Sequence, residues 1–248
     1  MSVRILLPGL LLVLLAGLLI SAPARLLAFF LPQDQVLLQG LNGTIWHGRA
    51  SRVQIMTAAG PAQLGMVYWH LKPLSLLTLS PTLTIRSEWG EQRLQTEFTL
   101  YLDKTVSLKD VDASFDAGVL SEILPLALEG RFNLTAKSLH LGRDQFLAAD
   151  GRLVWSHAAW NAPQGRIVLG NYAMDVLQAD RNEPLTGRIL SLNGPVEAAG
   201  KVTIDGAAYE IDMTISGQHS LDPVLVQALS LMAQPVENGF HLALVGTF

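Results

Sequence analysis

Alternation at a period of two residues runs through most of this chain, and it narrows the possible folds more than any other feature. Tyr209, Ile211, Met213 and Ile215 alternate with Glu210, Asp212, Thr214 and Ser216, the pattern of a strand with one apolar and one solvated face. Just before them, Lys201-Val202-Thr203-Ile204 runs into Asp205-Gly206, a hairpin turn signal. Leu83 and Ile85 precede Trp89-Gly90-Glu91-Gln92, and Leu94, Thr96, Phe98 and Leu100 follow it. Phe132, Leu134 and Ala136 alternate with Arg131, Asn133, Thr135 and Lys137 before the phase slips to Leu139 and Leu141, which predicts a bulge near Ser138. These are half-buried antiparallel strands.

Five glycine–cation pairs lead such segments: Gly130-Arg131, Gly151-Arg152, Gly165-Arg166, Gly187-Arg188 and Gly200-Lys201. Their separations of 21, 14, 22 and 13 residues suggest two copies of a unit of about 35 residues. Each glycine reads as the end of a turn and each cation as the first outward residue of a strand, guarding an edge. A track for an anionic ligand is the competing reading. Helices are few: one or two turns over 72–80 behind Pro73, a segment over 116–128 capped by Asp116 with a kink at Pro125, and one begun by Asp222-Pro223 that runs to about Ala233 and stops before Pro235. The pattern gives about twelve to fourteen strands, and twelve spaced about 4.8 Å apart would span roughly 58 Å, more than a few helices of roughly 10 Å diameter can cover. The sheet must therefore curl on itself, pair with a partner or leave an apolar trough. A curved sheet with Leu94, Phe98, Phe132, Leu134, Tyr209, Ile211, Met213 and Ile215 on its inner face is the expectation.

Ahead of the strands, residues 5–24 contain no charged residue and are flanked by Arg4 and Arg25. Twenty residues at about 1.5 Å each reach roughly 30 Å, the thickness of a bilayer core. Ala22-Pro23-Ala24 also reads as a signal-peptidase site. The apolar run exceeds the usual h-region, however, and Leu26 to Leu31 continue it past the cut, so a retained anchor is expected. A tiny N-terminal flank places the N-terminus in the cytoplasm and the body outside the inner membrane. Residues 1–32 are then the tip and anchor, and 33–248 a periplasmic β-rich domain.

Between anchor and strands lies Leu41-Asn42-Gly43-Thr44-Ile45-Trp46-His47-Gly48. Asn42-Gly43 predicts a turn, and Gly48 predicts a close approach that lets Trp46 lie against a neighbouring backbone.

No catalytic, cofactor or metal constellation stands out. Histidines 47, 70, 140, 157, 219 and 241 are dispersed, with no metal-ligand spacing. Ser156 and His157 are strand neighbours pointing to opposite faces, and Asp103, Asp110, Asp112 and Asp116 read as a solvated strand and a helix cap. The absence of cysteine excludes disulfides and thiol chemistry. A net charge of −4 argues against a nucleic-acid surface.

The anchor, the Gly43-Thr44-x-Trp46-x-Gly48 signature, Tyr68-Trp69-x-x-x-Pro73-Leu74-x-Leu76-Leu77, the glycine-led strands, Trp155 before Trp160 and the closing helix and strand together resemble the type II secretion system protein N family. The resemblance implies an inner-membrane protein without enzymatic activity or cofactor. Such a protein supports export of folded proteins across the outer membrane and has other secretion-system subunits as partners. Gly43, Thr44, Trp46, Gly48, Trp69 and Pro73 would be its structural signature. The Trp–Pro–Leu-Leu element also resembles AsmA-like envelope proteins, which implies, as the alternative, an apolar groove that binds or carries lipid.

Overall fold

The alternating segments form fifteen strands among the described residues. The computed structural model describes residues 14, 17–31, 34–57, 60–122, 127–142, 146–178, 183–206 and 208–247. The chain divides into two compact units, Met1–Trp89 and Gly90–Phe248.

The first unit holds β1 (Val36–Gln39), β2 (Asn42–Gly43), β3 (His47–Thr57), β4 (Gly60–Leu71) and β5 (Thr82–Trp89). β3 pairs antiparallel with β1, β2 and β4, and β4 pairs with β5. Its core is built on Ala50, Val53, Val67 and Trp69, and Ala24 from the N-terminal segment is buried among them. Most of the expected span over 5–24 lies outside the described residues, and no helix among the described residues is long and apolar enough to cross a membrane.

The second unit holds β6 (Gln92–Leu100), β7 (Val106–Asp116), β8 (Leu128–Leu141), β9 (Phe146–Ala162), β10 (Gly165–Leu177), β11 (Leu185–Asn193), β12 (Val196–Asp205), β13 (Ala208–Gly217), β14 (Gln234–Val236) and β15 (Gly239–Thr247). From β6 to β13 each strand pairs antiparallel with the next, and β15 then lies between β13 and β14. Residues directly opposite across a ladder share a face. One such row runs Leu94, Ala113, Leu134, Leu153, Met174, Ile189, Gly200, Met213, Leu242. Leu94, Leu134 and Met213 therefore lie on one face, and alternation along their strands puts Phe98, Phe132, Tyr209, Ile211 and Ile215 there too. The bulge expected near Ser138 is present, since the β8–β9 register shifts between Ala136 and Ser138. Asp205 and Ala208 close the expected hairpin.

The glycine-led segments need correcting. Gly151, Gly187 and Gly200 stand inside β9, β11 and β12 rather than at their starts. Their neighbouring cations form one row on the opposite face, Arg152–Asp175–Arg188–Lys201–Asp212. The carboxylates of Asp175 and Asp212 in this row, with Arg152 Nε 3.4 Å from Asp175 Oδ1, break any continuous track for an anion and explain the cations without an edge. The glycines are there for close packing. A Cβ at Gly200 would collide with the Asp212 carbonyl and with Met213 Cβ.

The helices are shorter than expected. A 3-10 turn spans Pro73–Leu76. Asp116 Oδ1 accepts from Gly118 N at 2.7 Å, but a 3-10 segment, Ala117–Glu122, follows, and the expected kink at Pro125 lies outside the described residues. The Asp222-capped helix spans Pro223–Leu229. Looser turns continue from there until Ala233 N donates to Leu229 O at 2.8 Å.

Gly200→Ala should destabilise the protein by about 1–3 kcal/mol, because the methyl overfills a site closed by backbone. Chemical denaturation read by tryptophan fluorescence measures this, and an unchanged midpoint would contradict the tight β12–β13 approach.

Candidate functional site

The six residues expected to form the signature all lie in the first unit. Gly43, at φ +92°, sits directly opposite Gly48, and the turn between them is Thr44 to His47 rather than Asn42-Gly43. Thr44 closes it at both ends: its N–H donates to His47 O at 2.9 Å and its Oγ1 accepts from His47 N at 3.2 Å. Gly48 makes room for Trp69, not Trp46. A Cβ there would lie 2.5 Å from Trp69 Cζ2, and Trp69, buried in the core, donates its Nε1–H to Thr44 O at 3.3 Å.

Trp46 turns the other way. Its Nε1–H donates to Leu19 O at 2.8 Å, while Ile45 N donates to Ala22 O at 3.0 Å and Pro23 bridges Thr44. Trp46 O in turn accepts from Leu71 N at 2.7 Å, two residues before Pro73, which opens the turn that follows β4. The hairpin thus clamps the segment that leaves the N-terminal apolar run. Ala22 and Ala24, read from sequence only as a cleavage signature, are buried at this joint. Their small size is the one trace of that role in the sequence.

In the second unit the apolar face carries a file of rings on directly opposed residues. Phe115–Phe132, Phe132–Trp155 and Trp155–Tyr172 have centroids 5.4, 5.2 and 5.9 Å apart. Where the file ends, a hollow of about 280 Å³ opens between the capped helix and the sheet, lined by Trp155, Tyr172, Ile189, Met213, Ile215 and Leu225 among others. The Tyr172 hydroxyl is withdrawn from it, lying 2.8 Å from Val196 O and 3.0 Å from Leu169 O. Burial pushes this phenol up to about 12. Such a surface offers apolar contact. Along β13 the residues facing this side, Tyr209, Ile211, Met213 and Ile215, are only half-buried. Leu231 and Met232, just past the helix, are exposed.

The polar residues considered for catalysis take structural places. His157 has φ +53° at an irregular point of β9, where its N–H donates to Asn171 Oδ1 at 2.6 Å. Asp103 Oδ1 accepts from Thr105 Oγ1 at 2.6 Å and Thr105 N at 2.9 Å, and these bonds hold its carboxyl below the usual range. Asp112 is exposed on β7 and Asp116 serves as the cap described above.

Comparison with known proteins adds the family. The family model described as "Type II secretion system (T2SS), protein N" matches residues 34–242. "Type II secretion system protein N" of Aeromonas hydrophila is 26% identical over 252 residues, covering 96% of each chain. Its namesake in Vibrio cholerae is 27% identical over 170 residues, 66% of each. No solved structure matches the chain. These comparisons lend no support to the AsmA-like kinship.

Tyr172 supplies a pH-dependent test. The folded phenol titrates near 12 and the unfolded one near 10, so its contribution to stability is intact below about pH 10 and lost as pH rises through 12. Tyr172→Phe should remove this alkaline loss and cost roughly 1–2 kcal/mol at neutral pH by leaving Val196 O unpaired. Unfolding curves of both proteins from pH 8 to 12 check it, and parallel curves would place the hydroxyl in solvent.

Proposed function

The chain belongs to the type II secretion system protein N family, and from that premise we propose that it is a non-enzymatic inner-membrane component of the type II secretion pathway. It supports protein export across the bacterial outer membrane through a periplasmic β body. The observation that carries this reading is coverage: the family match spans 34–242, the whole train of strands rather than one motif. In this reading residues 1–32 are the cytoplasmic tip and anchor, with the span over 5–24, and residues 33–248 are periplasmic.

Retention of the anchor is supported by the joint at Trp46. Cleavage after Ala24 would remove Leu19 and Ala22, whose carbonyls Trp46 and Ile45 hold. N-terminal sequencing of protein from envelopes should find a start upstream of Arg25. A start at Arg25 would reject the anchor.

The body works by docking. Its half-buried apolar face suits other secretion-system subunits, and the sheet is proposed to curl around this face. The hollow beneath the capped helix favours one narrower alternative, an acyl chain of a lipid. Photoreactive residues placed over 36–55 and 221–232 distinguish the two, through adducts of protein mass or adducts carrying lipid. In cells lacking the chain, export of a type II substrate should fall and wild type should restore it. Ile211→Glu should fold but fail to restore export, because a charge on an open apolar face blocks docking while water still reaches it. His157→Ala and Asp112→Ala should restore export fully. Full export with Ile211→Glu would put the docking surface elsewhere.

A further inference from the structure

We propose that the leucine-rich loop at 73–81 is a membrane-interface element, lying in the same bilayer surface from which the N-terminal segment emerges; this rests on the retained anchor proposed above. The loop joins β4 to β5 and carries Leu74, Leu76, Leu77 and Leu79, exposed by 76, 39, 81 and 60%. Single exposed leucines are ordinary on protein surfaces, but four within six residues form a contiguous apolar patch. No charged residue lies between Lys72 and Arg86, and the two flanking charges are basic, the sign that suits an anionic membrane surface.

Backbone entering an apolar medium must satisfy its own polar groups, and much of this loop's backbone is bonded within the loop. Ser75 N donates to Lys72 O at 3.1 Å, Leu77 N to Leu74 O at 3.2 Å, Leu79 N to Leu76 O at 3.1 Å and Ser80 N to Ser75 O at 3.2 Å. Ser75 Oγ donates to Lys72 O at 2.6 Å and accepts from Thr82 N at 2.9 Å. Thr78 Oγ1 donates to Ser75 O at 2.9 Å. The hydroxyls are turned inward on the backbone, and the leucines point out.

Placement names the occupant. The loop starts just after Leu71, whose N–H donates to Trp46 O at 2.7 Å, and the Trp46 indole donates to Leu19 O at 2.8 Å. Leu18, Leu19 and Ile20 are themselves 60, 59 and 70% exposed. Two exposed apolar segments thus meet at one tryptophan, a residue that favours the membrane–water interface. A bilayer accepts both segments at once.

The chain has no cysteine, so single substitutions Leu77→Cys, Leu18→Cys and Val245→Cys can each carry one NBD fluorophore. Val245, 81% exposed, is the control in the second unit. The full chain is reconstituted in phosphatidylethanolamine–phosphatidylglycerol vesicles, with and without doxyl-labelled lipid. The label at 77 should be blue-shifted and quenched at least twofold by doxyl lipid, with the label at 245 water-like. Water-like emission at 77 while the label at 18 is quenched overturns the loop and leaves the anchor standing. Blue-shifted but unquenched emission at 77 overturns it in favour of a protein partner. Equal quenching at 77 and 245 overturns it as non-specific adsorption. An unquenched label at 18 overturns the anchor itself.

Discussion

Cross-strand register is the constraint on which the second unit depends. A slip of one residue in any ladder would move a whole strand's apolar set to the solvated face. Two features on opposite faces oppose the slip. On one, Phe115, Phe132, Trp155 and Tyr172 stack on directly opposed positions, each contact contributing about 0.5–1.5 kcal/mol beyond burial. On the other, Arg152, Asp175, Arg188, Lys201 and Asp212 form a row in which the unfavourable Arg188–Lys201 pair is flanked by carboxylates. Gly200 allows β12 and β13 to approach where a methyl would separate them.

The same architecture shapes how the described residues of this unit are buried. The buried apolar residues there mix alanines, such as Ala136, Ala158, Ala159 and Ala173, with larger side chains, such as Phe132, Ile167, Tyr172, Phe240 and Leu242. The larger residues of β13 stay half-buried. One seven-residue helix covers a single end of the face, and the hollow beneath it marks where that cover stops fitting.

Period-two alternation made strand phase legible in the sequence, so the shared face of Leu94, Leu134 and Met213 and the bulge beside Ser138 could be read in advance. The cross-strand partners could not. Nothing in the linear order of Phe115, Phe132, Trp155 and Tyr172 says that they stand opposite one another, because register depends on turn lengths and bulges summed over several strands. The glycine–cation pairs misled for a related reason. Glycine most often ends a strand, and only the neighbouring strand shows that Gly200 is a contact site. At the signature, Gly43 and Gly48 correctly indicated tight backbone. Which tryptophan filled the space depended on β4, about twenty residues further along. The Ala22-Pro23-Ala24 stretch looked like a recognition motif because small residues serve both a peptidase pocket and a close-packed joint.

That joint has a consequence for orientation. A domain on a slack linker samples all rotations relative to its point of attachment, and any assembly it enters must overcome that rotational entropy on binding. Here the chain passes from the helical turn at 17–20 into the β unit with Leu19 and Ala22 tied to the Trp46 hairpin, which leaves little slack for swivelling. The first unit therefore keeps a fixed bearing on the helical turn at 17–20. With the span over 5–24 held in a bilayer as proposed, a partner would meet one presented surface rather than an average over many, so part of the rotational cost of association would already be met within the folded chain.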